Sequence, residues 1–239
     1  MDILTYFRSL DEDTAKIDVS FKSLTYLPPL SKFKKLKTLN CSDNLLTKLP
    51  DLPEALEVLY CNNNKLKSLP ELPHLWFLNC HNNSLKCLPE LPLSLVDLYV
   101  GSNEINELPK LPVNLIFLEC YNNKLSVLPE LPSGINEIYC AKNELTILPD
   151  IPTLGVFWYN PNPLIYKVTS KECINETNKK IRRFKDLFYA WKYRTKLRKW
   201  LWERVRQPRI LRDMYLIDDL LEKGIDPIDL MDHLPVYHY

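Results

Sequence analysis

Residues 108–132 read LPKLPVNLIFLECYNNKLSVLPELP, and this stretch decides how the chain folds. Two phrases of the form LPxLP enclose apolar residues at alternate positions, followed by a cysteine and an asparagine. Phrases of this type, the first of them LPPL, begin every 19 to 22 residues from Leu27 to Leu148 and hold 14 of the 19 prolines. The chain is therefore built from tandem copies of one short unit.

Between the proline phrases, each copy carries apolar residues at fixed positions and one asparagine. The pattern is L-x-x-L-x-L-x-x-N-x-L, which is the signature of a leucine-rich repeat. The recurring asparagines are Asn44, Asn64, Asn83, Asn103, Asn123, Asn143 and Asn162. The pattern predicts a leucine-rich repeat solenoid of about seven repeats of 19–22 residues across residues 17–164.

The spacing also predicts the shape of each repeat. Alternation around the second leucine indicates a short strand, and stacked repeats form a parallel sheet on the concave face. Paired prolines fix φ and remove amide donors, so the convex side is predicted to be extended and polyproline-like. The buried asparagine side chains are expected to bond with backbone groups of adjacent turns.

The variable positions on the strands are predicted to face the concave side, the usual binding surface of solenoids. Aromatic residues are frequent there, and they are enriched at interface hot spots. A simpler interpretation is that aromatic residues fit a pleated surface. The predicted protein-binding residues are Tyr60, Phe77, Asp97, Tyr99, Phe117, Glu119, Tyr121, Glu137, Tyr139 and Trp158. The acidic members favour a basic or mixed segment of a protein ligand.

Two segments outside the repeats are predicted to be helical, and a linker joins the second of them to the repeats. Apolar residues at helical spacing indicate an N-terminal helical cap over residues 1–16. A linker is predicted over residues 165–178, followed by a basic and then acidic helical segment over residues 179–239. Its basic part, residues 179–212, holds 14 Lys and Arg against two acids, and residues 213–239 hold seven acids against one Lys.

This charge pattern allows two interpretations. The basic and acidic helices pack against each other as a small module, docked on the last repeat as a cap. Alternatively, residues 179–212 bind an acidic partner, which could be an acidic protein, an anionic membrane surface, a calmodulin-like groove or nucleic acid.

The composition argues against catalytic and cofactor chemistry. Only four glycines occur, and no glycine-rich phosphate-binding motif is present. Five of the seven cysteines fill one inward repeat position and are expected to act as small hydrophobic residues, while Cys87 and Cys173 are the predicted accessible thiols. No catalytic residue, cofactor or metal site is predicted. Without a leader or a long apolar run, no transmembrane segment is predicted and the expected location is cytoplasmic.

The LPxLP units with seven tandem asparagines resemble the LPX-type leucine-rich repeats of bacterial effector proteins, including those attached to a novel-type ubiquitin ligase domain. The stretch RTKLRKWLWERVRQPRI, residues 194–210, is similar to the tails of leucine-rich repeat proteins of giant DNA viruses. The resemblance implies an interaction or scaffold protein, in the host-cell cytoplasm if the chain is viral.

The ligase families place a catalytic cysteine in a large helical domain after the repeats. Here 75 residues follow the repeats, and Cys173 is followed by Ile174 and Asn175 instead of a C-x-D sequence. Ubiquitin ligase activity is therefore not inferred for this chain from the resemblance. The alternative is an effector-type adaptor whose basic C-terminal helix binds a partner or carries an unrecognised activity.

Overall fold

The computed structural model describes residues 3–152, 155–164, 174–176, 178–179 and 219. The chain divides into two units, Met1–Val168 and Thr169–Tyr239. Over its described residues, the first unit contains one helix, α1 (Ile3–Ser9), and eight strands of three residues. The strands are β1 (Lys16–Asp18), β2 (Thr38–Asn40), β3 (Val58–Tyr60), β4 (Phe77–Asn79), β5 (Asp97–Tyr99), β6 (Phe117–Glu119), β7 (Glu137–Tyr139) and β8 (Val156–Trp158).

The eight strands form one parallel sheet in chain order. Each step has the same register, so that Leu98 of β5 lies opposite Leu78 of β4 and Leu118 of β6. A strand of three residues cannot persist alone, and only the stacking of neighbouring turns stabilises it. The predicted leucine-rich repeat solenoid is thus confirmed.

The core consists of columns of equivalent side chains. The central residue of every strand from β1 to β7 is fully buried, as are the cysteine or valine residues two positions later. Cys41, Cys61, Cys80, Cys120 and Cys140 are all buried, whereas Cys87 is exposed. Cys173 lies outside the described residues. The inward packing of the five repeat cysteines therefore agrees with the sequence pattern.

The LPxLP phrases contain neither helix nor strand. Their first leucines are buried, from Leu27 and Leu49 through to Leu148. The convex side therefore returns as extended backbone with one apolar anchor per turn, as the paired prolines predict.

A residue with positive φ follows each of the strands β2 to β7, directly before the repeated asparagine. The φ angles lie between 53° and 55° at Asp43, Asn63, Asn82, Ser102, Asn122 and Lys142. Asn and Asp tolerate this left-handed conformation better than other non-glycine residues. In the last turn Pro161 takes this position, and because proline cannot adopt a positive φ the repeated turn geometry ends there.

The N-terminal helix, α1, covers the end of the core that lies next to β1. Phe7 is buried, and its ring lies 5.9 Å from that of Phe33 in an edge-to-face contact. Lys32 Nζ donates a hydrogen bond of 3.1 Å to the Leu10 carbonyl. The helix ends at Ser9 and β1 already begins at Lys16, so the last residue of the predicted cap belongs to the sheet.

The described residues of the second unit, 174–176, 178–179 and 219, are helical. Helical backbone therefore occurs within the predicted linker 165–178, where Ile174 is fully buried. The predicted basic and acidic segment 179–239, with its packing as a cap, lies outside the described residues except for two positions. No described helix has the length and apolar character needed to cross a bilayer.

Candidate functional site

The concave face is built from the two outer residues of each strand. In β2 to β7 these residues are half-buried while the central residue points into the core. Nine of the ten predicted protein-binding residues occupy such positions in β3 to β8, and Tyr121 follows two residues after Glu119 on the same side. The structure therefore brings all ten onto one surface.

Six aromatic side chains on this surface touch one another in a continuous line, which we call the aromatic ribbon. The ring centroids are separated by 4.7 Å for Tyr60–Phe77, 5.5 Å for Phe77–Tyr99, 4.5 Å for Tyr99–Phe117, 5.6 Å for Phe117–Tyr139 and 6.0 Å for Tyr139–Trp158. The Tyr99 and Phe117 rings are stacked. The ribbon thus spans six neighbouring strands, from β3 to β8.

Three carboxylates, Asp97, Glu119 and Glu137, lie on the same strands as the ribbon. Partial burial raises the pKa of Asp97. Burial, together with all three carboxylates, raises the pKa of Tyr99. Burial and Glu137 raise the pKa of Tyr139, whose hydroxyl donates to Glu137 Oε2 over 3.4 Å. Burial is the main cause of all three shifts, and the carboxylates add to it at Tyr99 and Tyr139, where they place negative charge beside the rings.

A polar cluster lies beside the ribbon. His81 Nδ1 is 3.0 Å from Glu119 Oε1, and Tyr121 Oη is 3.5 Å from His81 Nε2. His81 and Glu119 are two turns apart, with Gly101 between them. A Cβ at Gly101 would lie 2.8 Å from Glu119 Oε1 and 3.0 Å from His81 Nδ1, so glycine opens the space that this contact crosses.

Sequence reasoning placed Glu119 and Tyr121 on the concave face but missed the pairing with His81. The sequence signal for this contact was Gly101, because the equivalent concave position in the other repeats carries a side chain. Among the described residues, no three His, Cys, Asp or Glu side chains are grouped so that they could hold a metal ion.

A groove of about 470 Å³ opens on the concave side of the last turns. Its lining residues are Glu119, Tyr121, Tyr139, Ala141, Lys142, Trp158, Asn160 and Pro161. Ala141 occupies the position that Tyr121 holds one turn earlier, and its small side chain leaves the space open. Trp158 Nε1 donates to the Asn160 carbonyl over 3.1 Å, which restrains the indole at the rim.

Neither the scan against models of protein families nor the search of curated proteins gives a match. Solved structures do match. The leucine-rich repeat domain of a Shigella effector is similar to this chain, with 30% identity and a TM-score of 0.57, over 71% of this chain and 77% of that domain. The chain belongs to the leucine-rich repeat family.

YopM, a leucine-rich effector protein from Yersinia pestis, is similar to this leucine-rich repeat chain with 37% identity and a TM-score of 0.65, over 70% of this chain and 48% of YopM. YopM from Yersinia enterocolitica has 35% identity and a TM-score of 0.52, over 66% of this chain and 40% of that one. The chain thus matches less than half of each YopM. The resemblance to effector repeats is confirmed, while the viral similarity of residues 194–210 stays a prediction.

The repeat asparagines hold the turns that carry this surface. Asn123 Nδ2 lies 3.0 Å from the Val100 carbonyl and 3.2 Å from that of Cys120, and Oδ1 accepts a 3.0 Å bond from Ile105 N–H. Equivalent bonds join Asn44, Asn64, Asn83, Asn103, Asn143 and Asn162 to the preceding turn. We call these seven residues the asparagine ladder.

A second set of side-chain bonds, partly buried or exposed, was not predicted. It uses the residues with positive φ, as when Asn63 Nδ2 donates to Asp43 Oδ1 over 2.8 Å and Asn82 Nδ2 donates to Asn63 Oδ1 over 2.9 Å. The sequence signal was the Asn-Asn pair, in which the first residue forms the turn and the second belongs to the asparagine ladder.

Proposed function

We propose that this leucine-rich repeat chain is a protein-binding module whose partner lies along the concave face. The aromatic ribbon carries the proposal, because rigid aromatic side chains offer large contact areas at a small cost in conformational entropy. Trp158 stands 59% exposed at the ribbon's end, where a partner can reach its indole ring. Its exposure supports a recognition role.

The charges on this face favour a particular kind of partner. Asp97, Glu119 and Glu137 lie among the aromatic rings, and their negative potential repels the phosphates of nucleic acid. The same potential attracts lysine and arginine side chains. We therefore propose a basic or mixed polypeptide segment as the ligand of the concave face.

The proposal assigns no reaction and no cofactor to the chain. It describes a scaffold that acts by binding, in the cytoplasm, where a reducing environment keeps the five buried thiols unoxidised.

Replacing both Tyr99 and Phe117 by Ala is expected to weaken partner binding by about 2 kcal/mol or more, roughly thirtyfold. The two rings stack at the centre of the ribbon, so the double variant interrupts it. The partner is first identified by cross-linking in the native cell, and affinity is then measured by calorimetry with the purified proteins.

The matched control replaces Leu93 and Val113 by Ala. These two apolar side chains also come from neighbouring turns and are 73% and 69% exposed, but they lie outside the strands. The control should bind like the unmodified chain, and all variants should show the same thermal unfolding midpoint within a few degrees. An unaltered affinity of the Tyr99 and Phe117 variant would exclude the concave face as the binding surface.

A second proposal concerns residues 179–212, whose net charge of +12 favours an acidic partner. Changing Lys196, Arg198 and Lys199 to Glu in the full chain should lower the salt concentration at which it elutes from heparin. The control changes the exposed Lys65 and Lys67 of the repeats to Glu. Equal elution of both variants would favour internal pairing of the basic and acidic segments.

A further inference from the structure

We propose that the groove at Glu119, Tyr139 and Trp158 receives an arginine side chain of the polypeptide partner. The inference rests on the proposed function and adds the chemistry of one contact point.

The sheet register places the three groups side by side. Glu119 of β6 lies opposite Tyr139 of β7, which lies opposite Trp158 of β8. Neighbouring strands are about 4.8 Å apart, so a carboxylate and two aromatic rings stand in a row on the concave face. The two rings meet at 60° with centroids 6.0 Å apart, and they form a corner instead of a stack.

The groove has the space for a side chain. Its volume of about 470 Å³ falls within the usual range of ligand pockets, roughly 300–1,000 Å³. Ala141 forms the floor between Tyr121 and Asn160, which hold the same position in the turns before and after it. A side chain that enters over Ala141 meets aromatic rings at the walls and the Glu119 carboxylate at the end nearest the centre of the sheet.

A guanidinium group fits these surroundings better than an ammonium group. It is planar, stacks on aromatic faces and pairs with a carboxylate through two parallel hydrogen bonds. An ammonium group is more strongly hydrated and loses more when it leaves water. His81 holds the Glu119 carboxylate in place over 3.0 Å, so the acceptor is already oriented before the ligand arrives.

The other charges near the groove define its preference. Glu137, the strand neighbour of Tyr139, adds negative potential. Lys142 lines the rim with an exposed side chain and opposes a cationic ligand. Removal of this lysine should therefore tighten arginine binding.

The test uses the full chain and three short peptides that differ in one residue: acetyl-Gly-Xaa-Gly-amide with arginine, lysine or citrulline. Binding is followed through the indole N–H signal of Trp158 in nuclear magnetic resonance spectra, assigned by its loss in Trp158→Phe. The arginine peptide should give a saturable shift with a millimolar dissociation constant. Citrulline, the neutral counterpart, should bind at least tenfold more weakly, and lysine several times more weakly.

Variants of the chain test each part of the pocket. Glu119→Gln and Ala141→Leu should each weaken binding of the arginine peptide at least tenfold. The first removes the negative charge, and the second fills the space above residue 141. Lys142→Ala should tighten binding of the arginine peptide about twofold. His81→Ala, which keeps the carboxylate but removes the side chain that orients it, should weaken binding of the arginine peptide less than Glu119→Gln does, and this separates loss of charge from loss of the His81 contact.

Equal binding of the arginine and citrulline peptides, tighter binding of lysine, or no saturable shift would each overturn the arginine pocket. Failure of the pocket differs from failure of the proposed function. If Tyr99→Ala with Phe117→Ala weakens the partner while Glu119→Gln and Ala141→Leu do not, only the pocket is wrong. If none of these variants changes partner affinity, the concave-face proposal itself is wrong.

Discussion

Replacing Asn123 by Ala is expected to lower the free energy of unfolding by about 3–5 kcal/mol. The side chain is buried and bonds to carbonyls of its own and the preceding turn, while its oxygen accepts the Ile105 N–H. Alanine leaves the Ile105 N–H unpaired, at a cost of about 1–3 kcal/mol, and removes two further hydrogen bonds worth about 1 kcal/mol each. The Val100 and Cys120 carbonyls keep the bonds that they accept from Asn103 and Asn143. Urea unfolding followed by circular dichroism measures the loss as a lower midpoint.

The neighbouring residue provides the control. Asn122 also bonds through its side chain, to Ser102 Oγ over 3.2 Å, but this bond is exposed. Asn122→Gly keeps a residue that accepts the φ of 54° and should cost about 1 kcal/mol or less. Similar small losses for both variants would mean that water replaces the buried amide and that the asparagine ladder contributes little to stability.

The five repeat cysteines are expected to react with a thiol reagent at pH 8 about a thousandfold more slowly than an exposed thiol. Burial raises the pKa of Cys41, Cys80 and Cys140 from 9.0 to about 12, which lowers the reactive thiolate fraction about a thousandfold. Burial also raises the pKa of Cys61 and Cys120 well above the ordinary value. Steric exclusion of the reagent slows the reaction further.

The experiment is simplest in Cys173→Ser, which removes the cysteine outside the described residues. The exposed Cys87 should then give one fast equivalent, and the other five should react only in denaturant. Cys87→Ser combined with Cys173→Ser should abolish the fast phase. Five fast-reacting cysteines in the folded protein would contradict the inward packing of the repeat cysteines.

The periodic sequence makes most of the solenoid predictable. A fixed spacing of apolar residues determines which side chain of each strand is buried, so Leu98 and Leu118 had to face each other once the turns were stacked. The same periodicity assigns Tyr99 and Phe117 to the concave face. Neither conclusion needs atomic detail, because both depend only on the alternation of side chains along a strand.

Contacts between neighbouring concave side chains could not be predicted in the same way. Phe77 touches both Tyr60 and Tyr99, although it occupies the first position of its strand and they occupy the third. Such diagonal contacts depend on side-chain rotamers and on the twist between strands, which the sequence pattern does not specify. The contact of His81 with Glu119 across Gly101 was missed for the same reason.

The last turn shows where the repeat pattern overstates burial. Phe157 and Tyr159 occupy the inward positions that are fully buried in preceding turns, yet both are half-buried. Phe157 lies in β8 and Tyr159 directly after it, and β8 pairs with β7 alone in the described sheet. A column of side chains is fully covered only when a neighbour lies on each side.

The uniform register has a consequence for how such a chain changes over generations. Since each junction repeats the one before it, duplication or loss of one coding segment of about 20 codons creates a new junction like the old ones, and the recognition surface grows or shrinks by about 4.8 Å. The exception is the contact between His81 and Glu119, which lie two turns apart with one turn between them. An inserted repeat between those two residues would separate them, so the three turns that carry His81, Gly101 and Glu119 are expected to be inherited together.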